Sequence, residues 1–274
     1  MASTTTLVIM SKKPRVIVLR TAGTNCDQET VFSFEDSGAE VDAVHIKQLR
    51  EKEVSLHDYH ILAIPGGFTY GDDIESGRIL ANELRVHLGG EIAKFINDGK
   101  LIIGICNGFQ ILVKAGFLPG SNSKGALKQT ASLTFNDSNK FESRWTYLKA
   151  SGNSVWTSNI EGVVYYPVAH AEGKFVMPDD KSLRSLIDNN QVVFSYCDAD
   201  GAETSYPGNP NGSTEHIAGI TDKTGRILGL MPHPERHFFA NQHPSWTRLK
   251  GRGKYGDGAR IFQNGVEYVK NNLL

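Results

Sequence analysis

The residues best placed to do chemistry are Gly104-Ile105-Cys106-Asn107-Gly108, which stand directly after an apolar run, Leu101 to Ile105, and directly before an apolar helical stretch, Phe109 to Ala115. A nucleophile flanked by glycines on a strand-to-helix turn is the hydrolase elbow with Cys in place of Ser. Small neighbours are needed there because the strained turn brings backbone close on both sides. The helix N-terminus behind Cys106 would favour the thiolate. A buried structural cysteine with packing glycines is the alternative reading of these five residues. A thiolate needs a proton partner, and His233 in Met231-Pro232-His233-Pro234-Glu235-Arg236 follows a second apolar run, Ile227 to Leu230. Glu235 can accept from the imidazole and fix its tautomer, so the expected triad is Cys106, His233 and Glu235. Taken alone, that segment also reads as a proline-stiffened strand exit with a surface histidine. His233 and His237 share the spacing of a helical zinc motif, but Pro234 interrupts it and no metal site is expected. Acyl transfer also needs oxyanion donors. The turn Pro65-Gly66-Gly67-Phe68 and the N–H of Asn107 can supply them, and the amide of Gln110, one helical turn past Cys106, can reach a substrate, a solvent-facing helix residue being the alternative reading.

The elements that must position these residues follow from hydrophobic periodicity. Val16 to Leu19, Val41 to Ile46, Ile61 to Ile64 and Leu101 to Ile105 read as strands, separated by helical stretches around Val31 to Phe34 and from Ile79 to Asn97, with a break at Gly89 and Gly90. Asn25 and Asp27 are the candidate caps of the first helix. Strand and helix in alternation predict a parallel sheet, and an uninterrupted apolar strand such as Leu101 to Ile105 predicts cover on both faces. From Gln129 onward short β-rich runs (Ala131 to Phe135, Val163 to Tyr166, Val192 to Tyr196) are separated by Asn, Asp, Gly and Ser, and read as antiparallel additions to the same sheet. Ile217 to Thr221 and Ile227 to Met231 lie on either side of the loop residues Asp222-Lys223-Thr224-Gly225 and read as a hairpin, and Arg260 to Asn271 as a closing amphipathic helix.

Composition narrows the function classes. The chain has 274 residues, 39% of them apolar, with 29 Lys and Arg against 30 Asp and Glu, which suits an ordinary globular core. A net charge of −1 gives no long-range field for polyanions, so neither nucleic acid nor a membrane surface is an expected partner. Three widely spaced cysteines, Cys26, Cys106 and Cys197, support neither a disulfide scaffold nor a zinc ribbon, and fit a reducing, cytoplasmic compartment. Residues 1–13 read as a loose tail and 14–274 as one domain, since the apolar run Leu7 to Met10 is too short for a signal or a span. Gly251-Arg252-Gly253-Lys254-Tyr255-Gly256 matches a dinucleotide-binding pattern in form only, because it neither follows a strand nor opens a helix. Asp72-Asp73 reads as loop-capping or partner-facing, not as a metal site.

The cysteine elbow followed by His-Pro-Glu resembles the class I, or triad, glutamine amidotransferases. The stretches Gly23-Thr24-Asn25-Cys26-Asp27, Gly66-Gly67-Phe68-Thr69-Tyr70-Gly71-Asp72-Asp73 and Val168-Ala169-His170-Ala171-Glu172-Gly173 are similar to the branch of that family that serves purine biosynthesis. The resemblance implies an α/β, flavodoxin-like fold: a mostly parallel central sheet with helices on both faces and antiparallel additions. It implies Cys106 as nucleophile, His233 as acid and base, Glu235 as orienting carboxylate, Gly66, Gly67 and Asn107 near the oxyanion, and Gln110, His170, Ala171 and Glu172 lining the glutamine pocket. It further implies L-glutamine as substrate and no cofactor in this chain. ATP and Mg would belong to a large synthetase partner that amidates formylglycinamide ribonucleotide, with a third small subunit left open. Another cysteine-elbow hydrolase of peptidase or deglycase type would share Cys106 but has no need of His-Pro-Glu after a late strand. A binding module with a dead site would lack a triad member.

Overall fold

A computed structural model describes residues 12–72, 75–120, 127–151, 154–249, 251 and 253–274. The tail expected at the N-terminus therefore falls, up to residue 11, outside the described residues, as do Asp73 and Arg252.

Alternation of strand and helix governs the first half: β1 (Arg15–Arg20), α1 (Asp27–Asp36), β2 (Glu40–His45), α2 (Ile46–Arg50), β3 (Ile61–Ile64), α3 (Arg78–His87), α4 (Gly89–Asn97), β4 (Leu101–Ile105) and α5 (Asn107–Ala115). The second half adds β5 (Ser132–Thr134), β6 (Glu142–Ala150), β7 (Val163–His170), β8 (Lys174–Val176), α6 (Asp180–Asp188), β9 (Val192–Cys197), β10 (Ile217–Thr221), β11 (Ile227–Leu230) and α7 (Ala259–Asn272). Nine strands form one sheet in the order β2-β1-β3-β4-β11-β10-β9-β6-β7. Neighbours from β2 through β11 run parallel, and those from β11 through β7 antiparallel. This is the mostly parallel, doubly covered architecture that the apolar runs predicted. The central strands β3, β4, β10 and β11 are buried at every position, as strands packed on both faces must be.

The core's stability is spread over many such side chains, each worth about 1.5–3 kcal/mol when fully buried. Phe34 of α1 meets Phe262 of α7 edge to face at 5.0 Å, which locks the last helix against the first. Among the described residues no helix is long and apolar enough to cross a membrane.

Three sequence expectations are corrected. Residues around Ala131 to Phe135 do not join the main sheet: β5 pairs with β8 in a separate two-stranded sheet that lies against α5. The break between α3 and α4 falls at Leu88, so that Gly89 and Gly90 open α4 and do not separate the helices. Neither Asn25 nor Asp27 caps α1 through its side chain; the N-cap is Cys26, and Asp27 pairs with Arg20 at 2.6 Å. The carboxylate that would have closed the cap is thereby taken by a guanidinium.

Candidate active site

Three neighbouring parallel strands deliver the site. Ile64 of β3 stands opposite Gly104 of β4, and Ile105 of β4 opposite Leu230 of β11, so the three chains leave the sheet side by side at its carboxyl edge. Loops at that edge carry ligands and reacting groups in sheets of this kind. Just beyond β3 comes the Gly66-Gly67 turn, beyond β4 comes Cys106, and beyond β11 comes His233.

Cys106 sits between β4 and α5 with φ of 53° and ψ of −106°, a left-handed conformation that costs a residue with a Cβ about 1–3 kcal/mol. Its N–H continues the ladder to Leu230 O at 2.7 Å, its carbonyl accepts from Phe109 and Gln110 in the first turn of α5, and its Sγ faces Ala169 O at 3.6 Å. The glycines of the elbow permit close packing. A Cβ on Gly104 would lie 2.5 Å from Gly108 O. The elbow is therefore the strained strand-to-helix turn read from the sequence.

His233 is buried between prolines, and its N–H is anchored to Pro167 O of β7 at 2.8 Å. Its Nδ1 pairs with Glu235 Oε1 at 2.5 Å, while Nε2 is buried with no hydrogen-bond partner among the described residues. Burial by itself disfavours the imidazolium, but the Glu235 carboxylate and then Cys106 outweigh it, holding His233 well above its ordinary value. The charged imidazole thus carries a proton on the nitrogen left over from Glu235. Cys106 is among the groups that interact with it, so sulfur, imidazole and carboxylate meet in one pocket.

The other residues expected at the site are placed as follows. Gly66 is packed into the centre: a Cβ there would lie 2.8 Å from His233 Cε1 and 3.4 Å from Cys106 Cβ. Its carbonyl accepts from the N–H groups of Cys26 at 3.2 Å and Asn25 at 3.4 Å, and in a trans peptide this turns the Gly67 N–H away from that loop. Asn107 opens α5, where first-turn N–H groups lack intrahelical acceptors. Its side chain accepts from Thr69 Oγ1 at 2.7 Å and donates to Gln110 Oε1 at 2.9 Å. Gln110 in turn donates to Glu172 O at 2.6 Å, so its amide braces the loop after β7. The Glu172 carboxylate faces the buried Lys114 at 3.9 Å. His170, the last residue of β7, is turned onto Asn136 Oδ1 at 3.1 Å, and burial lowers it to about 3, so it stays neutral. The backbone of Ala171 accepts from Asn136 N–H at 2.9 Å.

Sequence reasoning missed two neighbours of the triad. Cys26 is buried with Sγ 4.0 Å from His233 Nδ1, and Arg236 donates to that sulfur at 3.0 Å. The only signals were the Gly23-Thr24-Asn25-Cys26-Asp27 stretch and the place of Arg236 beside Glu235.

Fold and site together define a cysteine-elbow α/β protein with thiol, imidazole and carboxylate at one sheet edge. A family model described as a CobB/CobQ-like glutamine amidotransferase domain matches residues 13–269, and the chain belongs to that family. It is 48% identical over 261 residues to the phosphoribosylformylglycinamidine synthase subunit PurQ of Dehalococcoides mccartyi, covering 94% of this chain and 98% of that protein. Against the same subunit of Archaeoglobus fulgidus the identity is 45% over 269 residues, with coverage of 93% and 97%. Among solved structures, that of PurLQS from Thermotoga maritima contains a chain 31% identical to this one, with a TM-score of 0.71 and coverage of 94% of this chain and 100% of that one.

Proposed function

We propose that this chain is the glutaminase subunit of a phosphoribosylformylglycinamidine synthase, supplying ammonia from L-glutamine for purine biosynthesis. The observation that carries the reading is the convergence of Cys106 with the His233–Glu235 pair at the shared edge of β4 and β11. The Cys106 thiolate attacks the side-chain amide carbon of glutamine, and the carbonyl electrons move onto oxygen. The oxyanion is held by the N–H groups of Gly67 and Asn107. His233 gives its Nε2 proton to the amide nitrogen, the C–N bond breaks, and ammonia leaves behind a γ-glutamyl thioester. Neutral His233 then takes a proton from water as it attacks the thioester, which releases glutamate and restores the thiolate. Glu235 holds the ring in place and balances its charge throughout.

Ammonia set free in water is protonated and loses its lone pair, so a cytoplasmic chain of this kind serves a partner that takes the ammonia directly. The partner is a synthetase that uses ATP and Mg to amidate formylglycinamide ribonucleotide. Nucleotide and metal belong to that subunit.

The test measures ammonia release from glutamine by this chain alone and with the synthetase, and amidated product from glutamine and from ammonium salt. Weak release alone, rising in the complex, is the expected result. Failure to release ammonia from glutamine in either setting would overturn the reading.

Gly66→Ala gives a sharper geometric check. The added methyl would press on His233 Cε1 at 2.8 Å and Cys26 Sγ at 3.2 Å, displacing the ring from its reacting position. Misplacement on that scale is expected to lower kcat for glutamine hydrolysis by about 100-fold. A kcat within a factor of two of the wild type would show that the turn does not abut the imidazole.

A further inference from the structure

We propose that Cys26, His233 and Glu235 form a binding site for zinc, and that the ion switches the glutaminase off by taking Nδ1 of His233. The sulfur, ring nitrogen and carboxylate oxygen lie within 4.8 Å of one another, and all three residues are buried. Sγ of Cys26 is 4.0 Å from Nδ1, close to the separation of about 3.6 Å that two ligands at zinc–sulfur and zinc–nitrogen bond lengths hold in a tetrahedron. Glu235 Oε2 is buried without a hydrogen-bond partner among the described residues, so the carboxylate has a lone pair to offer, and Oε1, which now shares the Nδ1 proton, turns aside when the ion replaces that proton. A buried carboxylate oxygen left unpaired is costly, and a cation removes that cost.

The donor set selects the ion. One thiolate, one imidazole and one carboxylate suit zinc, whereas Mg prefers oxygen alone, so the Mg that an ATP-using partner requires would not compete. Arg236 stands 3.0 Å from the sulfur, and Glu29 lies 3.9 Å from the guanidinium, so its charge is partly balanced. Proton balance is simple. The thiol proton of Cys26 and the Nδ1 proton of His233 go to solvent, the sulfur and the nitrogen bind the ion, and the imidazole keeps its Nε2 proton. A zinc-bound neutral ring of that form neither takes a proton from water nor gives one readily to a departing amine. Glutamine turnover therefore stops while Cys106 is untouched.

The experiment uses the full chain stripped of metal with a chelator, then titrated with zinc and with cobalt as its spectroscopic stand-in. One ion per chain is expected, with a thiolate-to-cobalt charge-transfer band, in the wild type and equally in Cys106→Ala. Cys26→Ala and Cys26→Ser are expected to fold, to keep glutamine hydrolysis near the wild-type rate, and to bind zinc more than about 100-fold more weakly, beyond the loss typical of an outer-shell partner. Serine guards against a cavity effect of alanine, and circular dichroism verifies folding in each variant. The proposal is overturned if zinc binds Cys26→Ala and Cys26→Ser as it binds the wild type, if Cys106→Ala abolishes binding, or if no stoichiometric ion is found. Because binding is read directly, these outcomes are independent of whether glutamine is the substrate.

Discussion

A chain carrying Cys106→Ala is expected to release ammonia from glutamine at about one thousandth of the wild-type rate or less, while melting within a few degrees of the wild type. The loss follows from the mechanism: without sulfur no thioester forms, and what remains is the contribution of substrate binding and oxyanion donors, which in triad enzymes is orders of magnitude below the full rate. The preserved stability follows from the backbone. Alanine keeps the Cβ, so the left-handed conformation at residue 106 is as strained as before, and the substitution removes a single sulfur atom, which faces Ala169 O at 3.6 Å and interacts with His233. The partner's use of ammonium salt should be unaffected. An alanine variant that releases ammonia at the wild-type rate would remove Cys106 from the chemistry altogether.

The second large effect concerns stability and arises two residues later. A Cβ at Gly108 would lie 1.9 Å from Ile64 O and 2.8 Å from the same carbonyl carbon, both backbone atoms at the end of β3. No rotamer relieves such a clash; α5 must lift from the sheet, and every residue of that helix is buried. Overpacking against side chains costs about 1–3 kcal/mol, and backbone that cannot give way places Gly108→Ala at or above about 3 kcal/mol. For a chain of this size that corresponds to a fall in Tm on the order of 10 °C. Thermal melting followed by circular dichroism decides the matter, and an unchanged Tm would mean that α5 does not rest on β3 as described.

The two glycines flanking Cys106 were legible because a tight strand-to-helix passage leaves a local trace: an apolar run, small residues around one nucleophile, then an apolar helix. The hairpin of β10 and β11 and the closing helix were legible for the same reason, since each pattern is complete within 14 residues. β6 was not. Its sequence, Glu142 to Ala150, mixes charged and aromatic residues, because buried Thr146 and Leu148 alternate with solvent-facing neighbours such as Tyr147. The fate of Gln110 was beyond local reading for another reason. Helical spacing puts its amide near Cys106, but the carbonyl that occupies it belongs to Glu172, 62 residues away. Cys26 shows the same limit, for it enters the pocket only because the loop after β1 hydrogen-bonds to the turn after β3. Strand order, unlike strand content, leaves no periodic mark.

That order also sets when the reactive pair comes into being. β11 is inserted between β4 and β10, with Ile105 facing Leu230. A nascent polypeptide that has emerged only as far as α5 already holds its sulfur on the bent elbow, yet the imidazole is still more than a hundred peptide bonds from synthesis. Hydrolytic competence is therefore withheld until the last strand of the sheet has been made and threaded into the gap, so a truncated product is inert by construction and cannot squander the cell's glutamine.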